Sequence, residues 1–186
     1  LVYCKMKENL FDLIGKVVVI TGAAGMLGRQ HADAIASAGG IPILLDLIPE
    51  SVEKLANELQ SKYGVPATGY SVDITCEKKI ETNTRELLDK FGKIDALVNN
   101  AANNPKMEED GVKNNFSRLE NFPLDVWNQD VAVGLTGAFL CAKYYGYEIS
   151  KNPNGGSIIN ISSGLSLSII FASTSLKKDI ISLLKS

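Results

Sequence analysis

The chain has 186 residues, 45% of them apolar, and a formal net charge of −2. That length can bury one good core and argues for a single domain. The charge offers no basic stripe for nucleic acid, and the longest apolar run, about a dozen residues over 131–142, is too short to cross a bilayer, so a soluble protein with a small-molecule substrate, no nucleic-acid partner and no membrane partner is expected.

Leu1 to Lys5 carry no initiator methionine and no basic-then-apolar signal pattern, whereas Met6-Lys7-Glu8-Asn9 would make an ordinary cytoplasmic start. Residues 1–14 are read as an N-terminal extension. Cys4, Cys76 and Cys141 are odd in number and far apart, without a C-x-x-C or a histidine partner. Neither a disulfide framework nor a metal site is suggested, and a reducing cytoplasm fits. The single histidine, His31, reads as a structural residue of a helix.

The first element is the apolar run Val17-Val18-Val19-Ile20, which feeds directly into Thr21-Gly22-Ala23-Ala24-Gly25-Met26-Leu27-Gly28. A strand buried on both faces is apolar throughout. Gly22, Gly25 and Gly28 remove the Cβ atoms that would hold a backbone away from a pyrophosphate. The next helix then points its free N–H groups, beginning at Met26 and Leu27, toward the anion. Glycine-rich turns serve many folds, so this one gains weight only from the residues downstream of it.

Strand and helix then alternate: strand 16–21, helix 26–38, strand 41–46, helix 51–63, strand 66–71, helix 76–91 and strand 94–99. Such alternation means crossover units and a parallel sheet. Val52, Leu55, Ala56, Leu59 and Tyr63 form one helical stripe, and Ile80, Leu87, Leu88 and Phe91 form another, so each helix has a face to lay on the sheet. Residues 103–123 break the rhythm with an asparagine-rich, acidic loop; a long helix comes next over 124–150, and then the strand Ser157-Ile158-Ile159-Asn160-Ile161.

Three further sites fall at strand ends, where ligands bind in open α/β sheets. Ile41-Pro42-Ile43-Leu44-Leu45-Asp46 ends in an acid placed to take both hydroxyls of an adenosine ribose. That favours NAD over NADP, because a 2′-phosphate would meet like charge and Leu47 supplies no cation. The lesser alternative is a strand-end aspartate that caps the next helix. Val72-Asp73-Ile74 comes after the third strand and Asn99-Asn100-Ala101-Ala102 after the fourth; Asx turns alone could explain both.

Taken together, Thr21 with its three glycines, Asp46, Asp73 with Ile74, and Asn100-Ala101-Ala102 resemble the short-chain dehydrogenase/reductase family in order and spacing over residues 16–163. The family's glycine motif reads T-G-x-x-x-G-x-G and its fourth-strand turn N-N-A-G, in which Ala102 here replaces the glycine. The resemblance implies a three-layer, doubly wound parallel α/β sheet of the Rossmann type with strand order beginning 3-2-1-4-5. It implies a single dinucleotide-binding domain over 15–186, C-terminally incomplete, lacking the family's last strands and substrate lobe. It also implies hydride transfer between NAD(H) and a carbonyl or alcohol, and a homo-oligomer, dimer or tetramer, built through the apolar helix Val131–Ala142.

Ile159-Asn160-Ile161-Ser162-Ser163 matches the family's fifth strand and puts Ser163 in the position of its catalytic serine. The family's Y-x-x-x-K is not found in its place: alignment puts Ser173 where the tyrosine belongs and Lys177 where the lysine belongs. A serine hydroxyl is far too weak an acid to replace a phenol. Tyr147-Glu148-Ile149-Ser150-Lys151 fits the string, but lies at the end of a helix antiparallel to the strands, at the sheet edge away from the cofactor. Gly134 stands where the family has an asparagine that helps hold a relay water. The asparagine-rich loop further resembles bacterial oxidoreductases associated with surface-sugar or flagellin modification, which implies a sugar derivative as substrate. The missing tyrosine leaves a second reading, a catalytically silent nucleotide-binding or assembly module.

Overall fold

The structure is a computed structural model that describes residues 12–103, 120 and 122–162. Ser163, Ser173 and Lys177 lie outside the described residues. Five parallel strands form one sheet in the order β3-β2-β1-β4-β5: β1 Val17–Thr21, β2 Ile41–Asp46, β3 Thr68–Ser71, β4 Ala96–Asn99 and β5 Ser157–Asn160. This is the strand order that the family resemblance implies. Between them run α1 Met26–Ser37, α2 Pro49–Tyr63, α3 Glu77–Phe91, α4 Leu124–Val131 and α5 Ala138–Ser150.

The strand period of two assigns the side chains of β1 to opposite faces. Val17 and Val19 join Ile43, Leu45, Ile80, Leu87 and Tyr145 in one core, beneath α3 and α5. Val18 and Ile20 join Leu44, Val52, Leu55 and Ile35 in the other, beneath α1 and α2. The sheet is therefore the middle of three layers, and each fully buried aliphatic side chain contributes about 1.5–3 kcal/mol. No helix among the described residues is long and apolar enough to cross a membrane.

Element boundaries shift for local reasons. The second helix begins at Pro49 rather than residue 51, because proline's fixed φ suits the first helical turn. The third strand begins at Thr68 rather than residue 66, since Pro66 has no N–H to give a ladder. The long helix over 124–150 is continuous but contains a π-helical segment, Ala132–Gly137. Gly134 lies in that segment with open space where a Cβ would stand, so it serves no close packing there. Leu124, Trp127, Leu135 and Phe139 leave this helix with an exposed apolar face.

At the amino-terminal edge of the sheet, Asp95 is 8% exposed and accepts the Val17 N–H at 2.9 Å. Lys93 stands 2.8 Å and Lys16 3.2 Å from its carboxylate. Burial pushes the Asp95 carboxyl up, but Lys93, the Val17 amide and Lys16 outweigh it and hold the group below the usual aspartate range. A carboxyl depressed in the folded state adds stability above its unfolded value, near pH 3.9, and that stability is lost as pH falls through the folded value. Asp95→Asn should therefore cost about 1–3 kcal/mol at pH 7 and flatten the acid limb of the stability profile. Urea unfolding from pH 7 to pH 2 measures both, and an unchanged acid limb would show that this cluster does not hold the edge.

Candidate functional site

The carboxyl ends of β1, β2, β3 and β4 converge on one edge, and the chain reverses its winding direction between β1 and β4. Such a switch point opens a crevice at the strand ends. Thr21 closes β1 and is 1% exposed. Its hydroxyl oxygen accepts the N–H groups of Asn100 and Ala101, each at 3.0 Å. The Asn100 side-chain amide donates back to the carbonyls of Thr21 and Gly22, at 3.0 and 3.1 Å. The turns after β1 and β4 are thereby joined across nearly eighty residues of chain, and Thr21 acts by positioning them from beneath rather than by facing the crevice.

Two glycines make that junction possible. Gly22 takes φ +62°, and a Cβ on it would stand 2.9 Å from the Ala101 Cα. A Cβ on Gly28 would stand 2.2 Å from the Gly22 carbonyl oxygen, so only glycine lets the first turn of α1 fold back on its own loop. Gly25 is the N-cap residue, no side chain caps the helix, and its first turn holds no acid. The first helical bond runs from the Arg29 N–H to Gly25 at 3.0 Å, which leaves the amides of Met26, Leu27 and Gly28 without a partner inside the helix. Met26 and Leu27 are 83% and 52% exposed. Amide donors at the positive end of a helix dipole, clear of covering side chains, fit a diphosphate.

Asp46 ends β2 beside this loop. One carboxylate oxygen accepts the Ala24 N–H at 2.9 Å and the other the Leu47 N–H at 2.8 Å. The next helix has no side-chain cap, so Asp46 ties the glycine loop to β2 instead of capping α2. A carboxylate offers about four lone-pair sites, and two remain for a pair of vicinal hydroxyls. The residues present therefore suit a dinucleotide at both its diphosphate and its ribose.

Asp73 stands after β3 in an Asx turn, its carboxylate accepting the Thr75 hydroxyl at 2.6 Å and the Thr75 N–H at 2.9 Å. The Thr75 hydroxyl, with the Thr75 amide, holds this carboxyl below the ordinary range against a smaller opposing effect of burial. Ile74 is 7% exposed and belongs to the core under α3 and α5, so its side chain is withdrawn from the crevice and only its backbone is left to serve a ligand. Ala101 is half-buried, while Ala102 is exposed at the rim. The Asn103 side chain continues the rim by donating to Asp130 of α4 at 2.9 Å.

Sequence reasoning missed two residues here. Arg29 donates from Nε to the Ala24 carbonyl at 3.0 Å; a cation in the first turn after the third glycine was the available signal. Asn160 accepts from the Asn99 side chain at 2.9 Å and joins β5 to β4 at the same edge. The string Tyr147 to Lys151 is far from these groups: Asn152, next along, donates to the carbonyl of Ile94, before the amino end of β4, at 2.7 Å. Lys151 lies over the Tyr147 ring, 4.1 Å from its centroid, and pairs with Glu148 at 2.8 Å, as expected of a solvated helix end.

Known proteins agree with this geometry. The family model for short chain dehydrogenases matches residues 16–174. An uncharacterized oxidoreductase of Bacillus subtilis, YxbG, is 33% identical over 151 residues, which is 81% of this chain and 51% of that protein. An NADP-dependent mannitol dehydrogenase of Alternaria alternata is 30% identical over 158 residues, 83% of this chain and 56% of that one. The crystal structure of NAD+-bound xylitol dehydrogenase superposes with a TM-score of 0.72 at 28% identity, covering 92% of this chain and 63% of that one. The chain thus spans about half the length of the curated relatives it matches. With its glycine loop, switch-point crevice and strand order in agreement with that match, the chain belongs to the short-chain dehydrogenase family.

Proposed function

We propose that this protein is an oxidoreductase that moves a hydride between NAD(H) and a carbonyl or alcohol carbon of a sugar or sugar alcohol. The observation that carries the reading is the uncapped amino end of α1, with the amides of Met26, Leu27 and Gly28 beside the clamped carboxylate of Asp46. Those amides would hold the diphosphate, and Asp46 would hold the adenosine ribose through its remaining lone pairs. NAD is favoured over NADP because a 2′-phosphate would meet the Asp46 carboxylate, with the apolar Leu47 and Ile48, both more than half exposed, next in the chain. Asp73 and the backbone of Ile74 would border the adenine, and Asn100, Ala101 and Ala102 would border the inner ribose.

The bound cofactor supplies or accepts the hydride. By the family resemblance, Ser163 would donate a hydrogen bond that polarises the substrate oxygen, and Lys177 would hold the nicotinamide ribose. Support for the substrate class comes from two relatives, one named as a mannitol dehydrogenase and one as a xylitol dehydrogenase. The silent-module reading keeps one observation in its favour: Ser173 stands where the family's tyrosine belongs.

Two measurements test these readings. Calorimetric titration should show NAD binding at least about tenfold tighter than NADP, and Asp46→Asn should abolish most of that preference; equal affinity of the unaltered protein for both cofactors would defeat the ribose assignment. A panel of hexitols, pentitols and ketoses, assayed with NAD(H) at 340 nm, should give turnover with at least one member. Tight NAD binding without turnover on any of them would favour the silent module.

A further inference from the structure

Arg29 occupies the first turn of α1, where a cation runs against the helix dipole. Its Nε donates to the Ala24 carbonyl at 3.0 Å, and the N–H of that same residue donates to Asp46 at 2.9 Å. Ala24 is thus held from both sides, by a guanidinium on its oxygen and a carboxylate on its nitrogen. The second partner of Arg29, Glu58 of α2, stands 3.9 Å away with both side chains more than a third exposed. Exposed pairs of that length contribute little, so the surface ion pair does not account for an arginine at this point.

We propose that Arg29 is a positioning residue for ribose recognition. By fixing the Ala24 carbonyl, it aims the Ala24 amide at Asp46 and so sets the carboxylate's orientation toward the ribose hydroxyls, without touching the cofactor itself. A charge-assisted bond from a planar guanidinium to the loop carbonyl is directional. Without it, the loop residue could turn, and Asp46 would lose one of the two amides that hold it. The inference rests on the assignment of NAD to this crevice.

The test is a double-mutant cycle on Arg29 and Asp46, read by calorimetric titration with NAD and with ADP-ribose. Arg29→Met should raise the Kd of both ligands about fivefold in the unaltered background, and by less than about twofold in the Asp46→Asn background, because the route through the carboxylate is already gone. Glu58→Gln should leave both Kd values unchanged. Should Arg29→Met fail to fold, Arg29→Lys takes its place in the cycle, with a smaller loss and the same dependence on Asp46. An equal loss in both backgrounds would mean direct attraction of the phosphates, and a loss reproduced by Glu58→Gln would mean the surface pair; either result overturns the proposal. Absence of any NAD or ADP-ribose binding to the unaltered protein would bring down the cofactor reading as well, whereas binding with additive effects would remove only the role of Arg29.

Discussion

The buried hydroxyl of Thr21 is the contact on which the crevice depends. By accepting two consecutive amides from the turn after β4, it fixes that turn to the glycine loop after β1. The two turns come from opposite sides of the point where the sheet changes direction, and nothing in the β1–β4 ladder beyond Val98 would hold them together. Asn100 completes the junction with two bonds in the reverse sense. Donors and acceptors satisfied in both directions make a rigid floor, and a rigid floor lets backbone amides serve as a binding surface.

Above that floor, the start of α1 departs from the local rules of helix stability. A helix whose N-cap is a glycine forgoes a few tenths of a kcal/mol that serine, threonine or aspartate would provide. Cationic Arg29 in the same turn runs against the helix dipole as well. Departures from local rules concentrate at functional sites, and here they fall at the end of α1 to which the proposed reading gives the diphosphate. The opposite edge of the sheet obeys the other logic. There Asp95 is surrounded by two lysines and a backbone amide.

The alternation of strands and helices was legible because apolar runs and helical stripes are local patterns, and Val17 to Ile20 feeding into the glycine turn is the plainest of them; the strand order came with the family resemblance, since such patterns do not say which strands become neighbours. The approximate positions of Asp46 and Asp73 were legible from the same local patterns. The work done by their side chains was not: Asp46 clamps Ala24, and Asp73 turns inward on Thr75. Thr21 was legible as the head of the glycine motif, but the bonds of its hydroxyl were not, since its partners lie about eighty residues away and depend on which strands become neighbours. The π-helical segment was hidden because widening one stretch of a helix leaves the spacing of apolar residues almost unchanged. The Y-x-x-x-K string ending in Lys151 shows the converse: matching letters lie at a helix end, where Lys151 pairs with Glu148 far from the crevice.

The central claim is that the backbone at the start of α1, and not a side chain, grips the diphosphate. Amide chemical shifts on titration with ADP-ribose address it directly. The account predicts that the largest changes fall on the N–H groups of Met26, Leu27 and Gly28, with smaller ones at Ala24 and Leu47, whose amides already hold Asp46. Saturable binding that leaves those three amides unmoved would contradict it.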